Sequence, residues 1–223
     1  MDQANREGRE GREGREGGES RNGSGDTGDP MAGRIARFAD VRRRGIPLMF
    51  IDSALPGHRR MNYALVGDTA SENPDYDPII TAPHGFQIGM VRARPGNGPA
   101  YHTHRYVESF LILSGRWRFY WGSDPDPARF EGETTLGPWD YVSLPPDLYR
   151  GFEVAPDETE EAWLFAVLEE HRAFASRDPI WSPTVEAQAA AQGFRADATG
   201  RMVPPADYDA VRRRLVEDLD GDA

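Results

Sequence analysis

One stretch of twenty residues, 96–115, constrains the chain more than any other: GNGPAYHTHRYVESFLILSG. It places His102, His104 and Glu108 at even separations in a segment rich in Tyr, Val, Phe, Leu and Ile. Side chains of a regular strand alternate between its two faces, so these three groups would share one face. Two imidazoles and one carboxylate are the protein ligands of many divalent transition-metal sites that keep open positions. The stretch therefore predicts a strand that carries a metal site.

Two glycines bracket this pattern and make it specific. Gly96 is followed by five residues, the HxH pair, three residues, Glu108, six residues and Gly115. This resembles the first conserved motif of the cupin superfamily at every position. The resemblance implies an all-β fold, an antiparallel jelly-roll (cupin) barrel of the RmlC-like type, with a divalent transition metal held by His102, His104 and Glu108. It favours Fe(II), with Mn, Ni, Co and Zn as alternatives.

The family's second motif is matched only in part, by residues 139–154, WDYVSLPPDLYRGFEV. Pro145 stands at the motif's proline. The departures are Trp139 and Asp147 at two glycine positions, Val154 at an asparagine position and Arg150 at the position of a fourth ligand, a histidine. A guanidinium stays protonated and has no lone pair, so Arg150 cannot bind a metal. The resemblance therefore implies the fold but not a four-ligand site.

Arg150 has two interpretations if the family geometry holds. In the first, His102, His104 and Glu108 hold the metal alone, and Arg150 clamps an anionic group of the substrate through paired hydrogen bonds. In the second, Arg150 forms an ion pair with Glu108 that competes with the metal and leaves an empty polar pocket. A slip of one residue in strand register would instead turn Arg150 to the surface.

The resemblance leaves three functions open. The leading one is a metal-dependent enzyme for a small organic substrate, anionic if Arg150 clamps it, acting as a dioxygenase-like oxidoreductase. Its catalytic residues would be Arg150, Glu108 and Tyr106, with Tyr149 as a further orienting group. The second is an isomerase, epimerase, cyclase or lyase with His102 or Glu108 as general base. The third is a non-catalytic small-molecule-binding cupin.

Charge and hydropathy restrict the partners of the chain. Its 223 residues carry a net charge of −11 with a pI near 4.9, a balance that argues against nucleic acid and anionic membranes as partners. No apolar run approaches the roughly 20 residues that span a bilayer, and the N-terminus has no apolar core of a signal peptide. We expect a cytoplasmic protein that binds a small-molecule substrate, and the resemblance implies a homodimer.

Two residue types are missing, and both absences limit the chemistry. The chain has no cysteine, which excludes disulfides, thiolate nucleophiles and thiolate metal sites. It also has no lysine, because all 26 basic residues are arginine, so a Schiff base with a side-chain amine is excluded.

Composition divides the chain into three parts. Residues 1–33 contain REG repeats without aromatic or branched aliphatic side chains and predict a disordered tail; Met31 could be the true start. Residues 34–170 repeat short aromatic and β-branched segments between Gly, Pro and Asp clusters, which predicts the cupin β-barrel domain. Residues 171–223 predict a helical extension, with helices near 182–193 and 205–219.

Smaller patterns complete the prediction. The alternation in RWRFYWG places Trp117, Phe119 and Trp121 on one face, where we expect them to pack in the core. The apolar runs IARFADV, PLMFIDSAL and MNYALVG predict strands or short elements between turns. The remaining histidines are expected to lie outside the site: His58, exposed in a turn, His84 and His171.

Overall fold

The computed structural model describes residues 30–67, 73, 75–82, 84–169, 179–198 and 202–220. The chain separates into two units, residues 1–32 and 33–223. Of the first unit only residues 30–32 are described, and they form a turn. His171 and all of the predicted tail except residues 30–33 therefore lie outside the described residues. The strands and helices of the fold all belong to the second unit.

The second unit is built mainly of strands. In chain order they are β1 Arg60–Val66, β2 Phe86–Ala93, β3 His102–Thr103, β4 Glu108–Ser114, β5 Trp117–Gly122, β6 Gly132–Leu136, β7 Tyr141–Leu144, β8 Tyr149–Val154, β9 Ala162–Glu169, β10 Ile180–Trp181, β11 Arg195–Ala196 and β12 Met202–Val203. Ten of them form two five-stranded sheets. Sheet 1 has the order β1-β2-β9-β4-β7, and sheet 2 has the order β10-β3-β8-β5-β6. Every pairing between these strands is antiparallel, which confirms the all-β jelly-roll prediction.

The two sheets enclose an apolar core that fills one part of the barrel. Trp117 and Phe119 are at most 1% exposed, and the ring of Phe152 stacks on Phe119 at a centroid distance of 5.0 Å. Trp121 is partly buried and packs against the same core. The alternation prediction for these aromatic side chains is confirmed: Arg118, on the opposite face of β5, forms surface ion pairs instead.

Within the described ranges, four α-helices lie outside the sheets, α1 Phe38–Arg42, α2 Phe50–Ala54, α3 Pro183–Ala191 and α4 Tyr208–Asp220, together with one 3-10 turn at Pro127–Arg129. The Ser182 side chain accepts a hydrogen bond from the backbone N–H of Thr184, as predicted for the cap of α3. None of the described helices combines the length and the apolarity that crossing a bilayer requires.

The C-terminal part does more than cover the barrel. Strand β10, which lies beyond residue 170, adds an edge strand to sheet 2 directly beside β3. Helix α4 packs Leu215 and Leu219 in one cluster with Met61 and Tyr63 of β1. Its last carbonyls accept hydrogen bonds from Arg92 of β2 and from Arg94, which directly follows β2, and this suits the negative end of a helix dipole.

Candidate metal centre

The predicted ligand set comes together, but not on one regular strand. Strand β3 ends at Thr103, residues 104–107 belong to no strand, and β4 begins at Glu108 in the other sheet. The prediction of a single continuous strand is therefore wrong, because the chain crosses between the sheets here. One ligand atom from each of His102, His104 and Glu108 still lies within 4.8 Å of the others. The groups meet because the two sheets enclose a common interior.

The three side chains are buried together. His102, His104 and Glu108 are 4%, 5% and 7% exposed, and the His104 Nε2 to Glu108 Oε2 distance is 3.8 Å. Within the described part of the chain, Glu108 Oε2 has no hydrogen-bond partner. A buried carboxylate oxygen without a donor is costly unless a cation or water completes its surroundings. The donor set of two imidazoles and one carboxylate therefore fits a divalent transition metal.

A backbone contact fixes the ring of His102. Its Nδ1 donates a hydrogen bond of 2.6 Å to the carbonyl oxygen of Ala100, so Nδ1 carries the proton of the neutral ring. The lone pair then lies on Nε2, as metal ligation through that atom requires. Burial, followed by the nearby His104 and Arg150, lowers the pKa of His102 well below its ordinary value. His102 is therefore neutral at physiological pH and able to bind a metal.

The lowered pKa of His102 predicts how stability changes with pH. Below about pH 6.5 the unfolded chain protonates this ring and the folded chain does not, so folding stability falls with decreasing pH. Denaturant unfolding of the metal-free protein at pH 8 and pH 5.5 should show this loss, by up to about 1 kcal/mol per pH unit. In His102→Gln the loss should be smaller; an identical pH dependence in both proteins would contradict the assignment.

Arg150 lies inside the barrel beside this cluster. It is 0% exposed on β8, where its Cα is paired with that of His102 across the sheet. Its Nε is 3.6 Å from Glu108 Oε2, and its Nη1 donates to Thr103 Oγ1 at 3.4 Å. The surface position that a register slip would produce is excluded. The separation from Glu108 allows electrostatic attraction but exceeds hydrogen-bond length.

Backbone angles support the alignment of the second motif. Trp139 and Asp147 have φ values of 73° and 61°, and they are the only non-glycine residues with positive φ in the described part of the chain. Both stand where the resembled motif has glycine, the residue that adopts this conformation at least cost. The chain has therefore kept the motif's backbone while its side chains changed, and this backbone places Arg150 at the fourth-ligand position.

The two tyrosines considered as orienting groups differ in position. Tyr106 is buried, and its ring stacks on that of His104 with centroids 4.8 Å apart. Tyr149 lies next to Arg150 in β8 and so points to the opposite face, where it stacks on Tyr101 in a separate apolar cluster. The structure therefore keeps Tyr106 next to the cluster and removes Tyr149 from it.

Two further histidines lie apart from the cluster. His58 is half-buried, not exposed as expected, because its Nδ1 bonds the carbonyl oxygen of Gly98 at 3.1 Å. His84 is half-buried against the ring of Phe86. In the described ranges, His102, His104 and Glu108 form the one group able to hold a metal ion.

One residue that supports His102 from outside the cluster, Asp52, was not predicted from the sequence. Asp52 of α2 is fully buried and bonds Arg60 of β1 at 2.5 Å and 3.1 Å, while its other oxygen accepts the N–H of Ala100 at 3.3 Å. Ala100 in turn accepts the Nδ1 proton of His102. The signal in the sequence was weak: one acidic residue inside the apolar run PLMFIDSAL.

Loss of this support should loosen the metal. We expect Asp52→Ala to reduce metal affinity about tenfold, the low end of the range for direct partners of a ligating histidine, because Asp52 acts on His102 only through Ala100. Asp52→Asn keeps an oxygen that can accept the Ala100 N–H and should lose less. Competition with a chromophoric chelator measures both affinities, and circular dichroism checks folding. Unchanged affinity in a folded Asp52→Ala protein would mean that Asp52 does not position His102.

Comparison with known proteins finds likeness at the level of structure. No family model and no curated protein matches the chain. A DMSP lyase, DddQ from Ruegeria pomeroyi, is 18% identical with a TM-score of 0.42, and the match covers 56% of this chain and 52% of the lyase. A putative sugar phosphate isomerase from Acidithiobacillus ferrooxidans is 18% identical with a TM-score of 0.45, over 63% of this chain and 78% of that protein.

A cupin-2 domain protein from Rhodospirillum rubrum is 14% identical with a TM-score of 0.41, over 73% of this chain and 79% of that protein. The chain thus spans about half the length of the DMSP lyase and most of the two smaller proteins. Likeness at these identities and TM-scores carries no conclusion about the activity of this chain. The described part of residues 33–223 forms an all-β jelly roll of two antiparallel five-stranded sheets.

Proposed function

We propose that this protein is a metal-dependent enzyme that acts on a small anionic organic substrate inside the barrel. The observation that supports this most is the fully buried Arg150 beside the His102–His104–Glu108 cluster. A divalent metal and the guanidinium would bring three positive charges against the single negative charge of Glu108. Such an excess in a buried site is costly unless a further anion binds. The substrate would supply that anion.

Each residue of the site has a role in this proposal. His102, His104 and Glu108 would hold the metal, which when bound supplies Lewis acidity and open coordination positions. Arg150 would bind the anionic group of the substrate through its planar fork and fix the orientation of the substrate. Tyr106 stacks on His104 and would limit access of water to that ligand.

The reaction we favour is an oxygen-dependent, dioxygenase-like oxidation with Fe(II). Three protein ligands leave positions for two further molecules, as an oxygenase of this ligand type needs. Isomerisation or elimination in the same pocket is the alternative, because Glu108 and Arg150 also form a pair of base and anion-stabilising group at 3.6 Å. A non-catalytic binding role would use the same contacts without turnover.

Oxygen consumption tests the reaction type. The Fe(II)-reconstituted protein would be mixed with a panel of small carboxylic acids under an oxygen electrode, with His104→Ala as the inactive control. Oxygen uptake that depends on both the acid and His104 would support the dioxygenase-like proposal. Exchange of substrate C–H protons in deuterated water without oxygen uptake would replace it with the isomerase or lyase alternative. Binding of an acid with neither oxygen uptake nor proton exchange would support the non-catalytic binding role.

We also propose a cytoplasmic homodimer. Support for pairing comes from β7, the outer strand of sheet 1, where Tyr141 is 60% exposed and the adjacent Trp139 is 76% exposed. Exposed aromatic side chains at a sheet edge favour association. Light scattering should give about twice the chain mass of 24.9 kDa; the mass of one chain would contradict the dimer.

A further inference from the structure

A small cavity lies against sheet 1 and reaches the metal centre at Glu108. It is bordered by residues of β1, β2, β4 and β9, and its volume is about 50 Å³. One water needs roughly 10–15 Å³ by this measure, so the space holds about three to five waters or ligand atoms. The part of a ligand that enters it must therefore be short.

One buried amide in this cavity needs an acceptor. Asn62 of β1 is 1% exposed, and its backbone N–H and C=O are both paired with Ile46. Among the residues that the structure describes, no acceptor meets its side-chain Nδ2, and the residue lines the cavity. A buried amide donor without an acceptor is destabilising. A ligand that brings an oxygen to Asn62 would remove that cost.

The charges around Asn62 determine whether a neutral or an anionic ligand oxygen fits beside it. Arg60 also lines the cavity, but the carboxylate of Asp52 neutralises it at 2.5 Å. Burial raises the pKa of Tyr76, a further lining residue, far above its ordinary value, so its hydroxyl stays protonated and uncharged. This part of the cavity therefore offers donors without an unbalanced positive charge, which suits a neutral acceptor better than a second carboxylate.

A glycine provides the room for this arrangement. Gly89 of β2 lines the cavity, and a Cβ there would lie 3.0 Å from the hydroxyl of Tyr76. That distance is closer than ordinary van der Waals contact, so a side chain at position 89 would push Tyr76 aside. The absence of a side chain at Gly89 thus keeps the Tyr76 hydroxyl in place at the wall of the cavity.

We propose that the substrate is a short-chain organic anion with a neutral hydrogen-bond acceptor, an oxo or hydroxy group, a few atoms from its anionic end. Arg150 takes the anionic end, and Asn62 Nδ2 donates to the neutral oxygen. Glu108 connects the two groups, since its Oε2 is 3.6 Å from Arg150 Nε and the residue borders the cavity that Asn62 also lines. This inference rests on the proposed function and adds the second recognition point to it.

Matched pairs of acids test the second recognition point. The probes are butanoate with 3-oxobutanoate, pentanoate with 4-oxopentanoate, and hexanoate with 5-oxohexanoate, titrated calorimetrically into the metal-loaded protein. In at least one pair the oxo acid should bind about tenfold more tightly, the effect of satisfying one buried donor. Asn62→Leu should remove this preference while the metal content stays unchanged. Equal affinity within all three pairs would overturn the inference.

Further variants keep the test decisive if Asn62→Leu is unstable. Asn62→Asp retains the size of the side chain but replaces the donor, so it should bind the oxo acid no better than the plain acid. Asn97→Leu, a substitution outside the cavity, should keep the wild-type preference. Arg150→Met should weaken both acids of a pair. Equal affinity within every pair in the wild-type protein, with metal content and Arg150 dependence intact, refutes only the second recognition point, whereas absent metal in the wild-type protein refutes the proposed function.

Discussion

Replacing His102 with alanine should abolish metal retention while the barrel remains folded. The substitution removes one of three protein ligands, so we expect at least a hundredfold loss of affinity, beyond the ten- to hundredfold typical of outer partners. The apolar core lies elsewhere in the barrel, around Trp117, Phe119 and Phe152, and does not depend on this ring. Plasma mass spectrometry of the reconstituted variant measures the metal, and circular dichroism measures the fold.

A histidine outside the cluster provides the control. His84 is half-buried against Phe86 and contributes to no metal-capable group in the described ranges. His84→Ala should therefore retain the wild-type metal content. Full occupancy in a folded His102→Ala protein, or equal loss in both variants, would show that the metal does not bind at this cluster.

Replacing Arg150 with histidine should have the opposite effect on the metal. The change removes a buried positive charge 3.6 Å from Glu108 and adds an imidazole at the position of the missing ligand. We expect metal affinity to rise about tenfold or more, because both changes favour a bound dication. Binding of organic anions should fall by about a hundredfold, since the charge-assisted hydrogen bonds are lost.

Arg150→Met separates the two contributions. Methionine removes the charge without adding an imidazole, so this variant should bind metal less tightly than Arg150→His and should also lose the organic anions. Chelator competition and calorimetry with pentanoate measure the two affinities. Metal binding in Arg150→His equal to that of the wild type would mean that this position does not face the metal.

Motif spacing predicted that the inner residues of the candidate site lie close together, and the structure brings them together. His102, His104 and Glu108 converge, and Arg150 lies beside them, although the strand between them is broken. The motif spacing predicts this cluster because it reflects how the three side chains lie in space, and they meet even though the strand between them is interrupted. The positive φ angles of Trp139 and Asp147 could not be predicted from the sequence, since non-glycine residues rarely adopt that conformation and even Asp, which does so more often than most, usually has a negative φ.

The sequence does not predict Asp52 and Asn62, the residues outside the ligand cluster, for a physical reason. Asp52 and Asn62 reach the site through long-range pairing of α2 and β1 with the barrel, and local periodicity carries no information about such contacts. For the segments that form α1 and α2, the sequence does not distinguish a strand from a short helix, because an apolar run of about five residues fits either structure. The strand β10 is only two residues long and lies directly before the helical pattern at 182–193, so it is too short for a predictive alternation of side chains.

Metal stoichiometry of the purified protein tests the central claim most directly. Plasma mass spectrometry before and after Fe(II) or Mn(II) reconstitution, in wild type and in Glu108→Ala, reports on the cluster itself. The proposed centre predicts about one transition metal per chain in the wild type and almost none in the variant. A wild-type protein that binds no metal under either condition would contradict the centre and would leave Arg150 and Glu108 as an ion pair in a polar pocket.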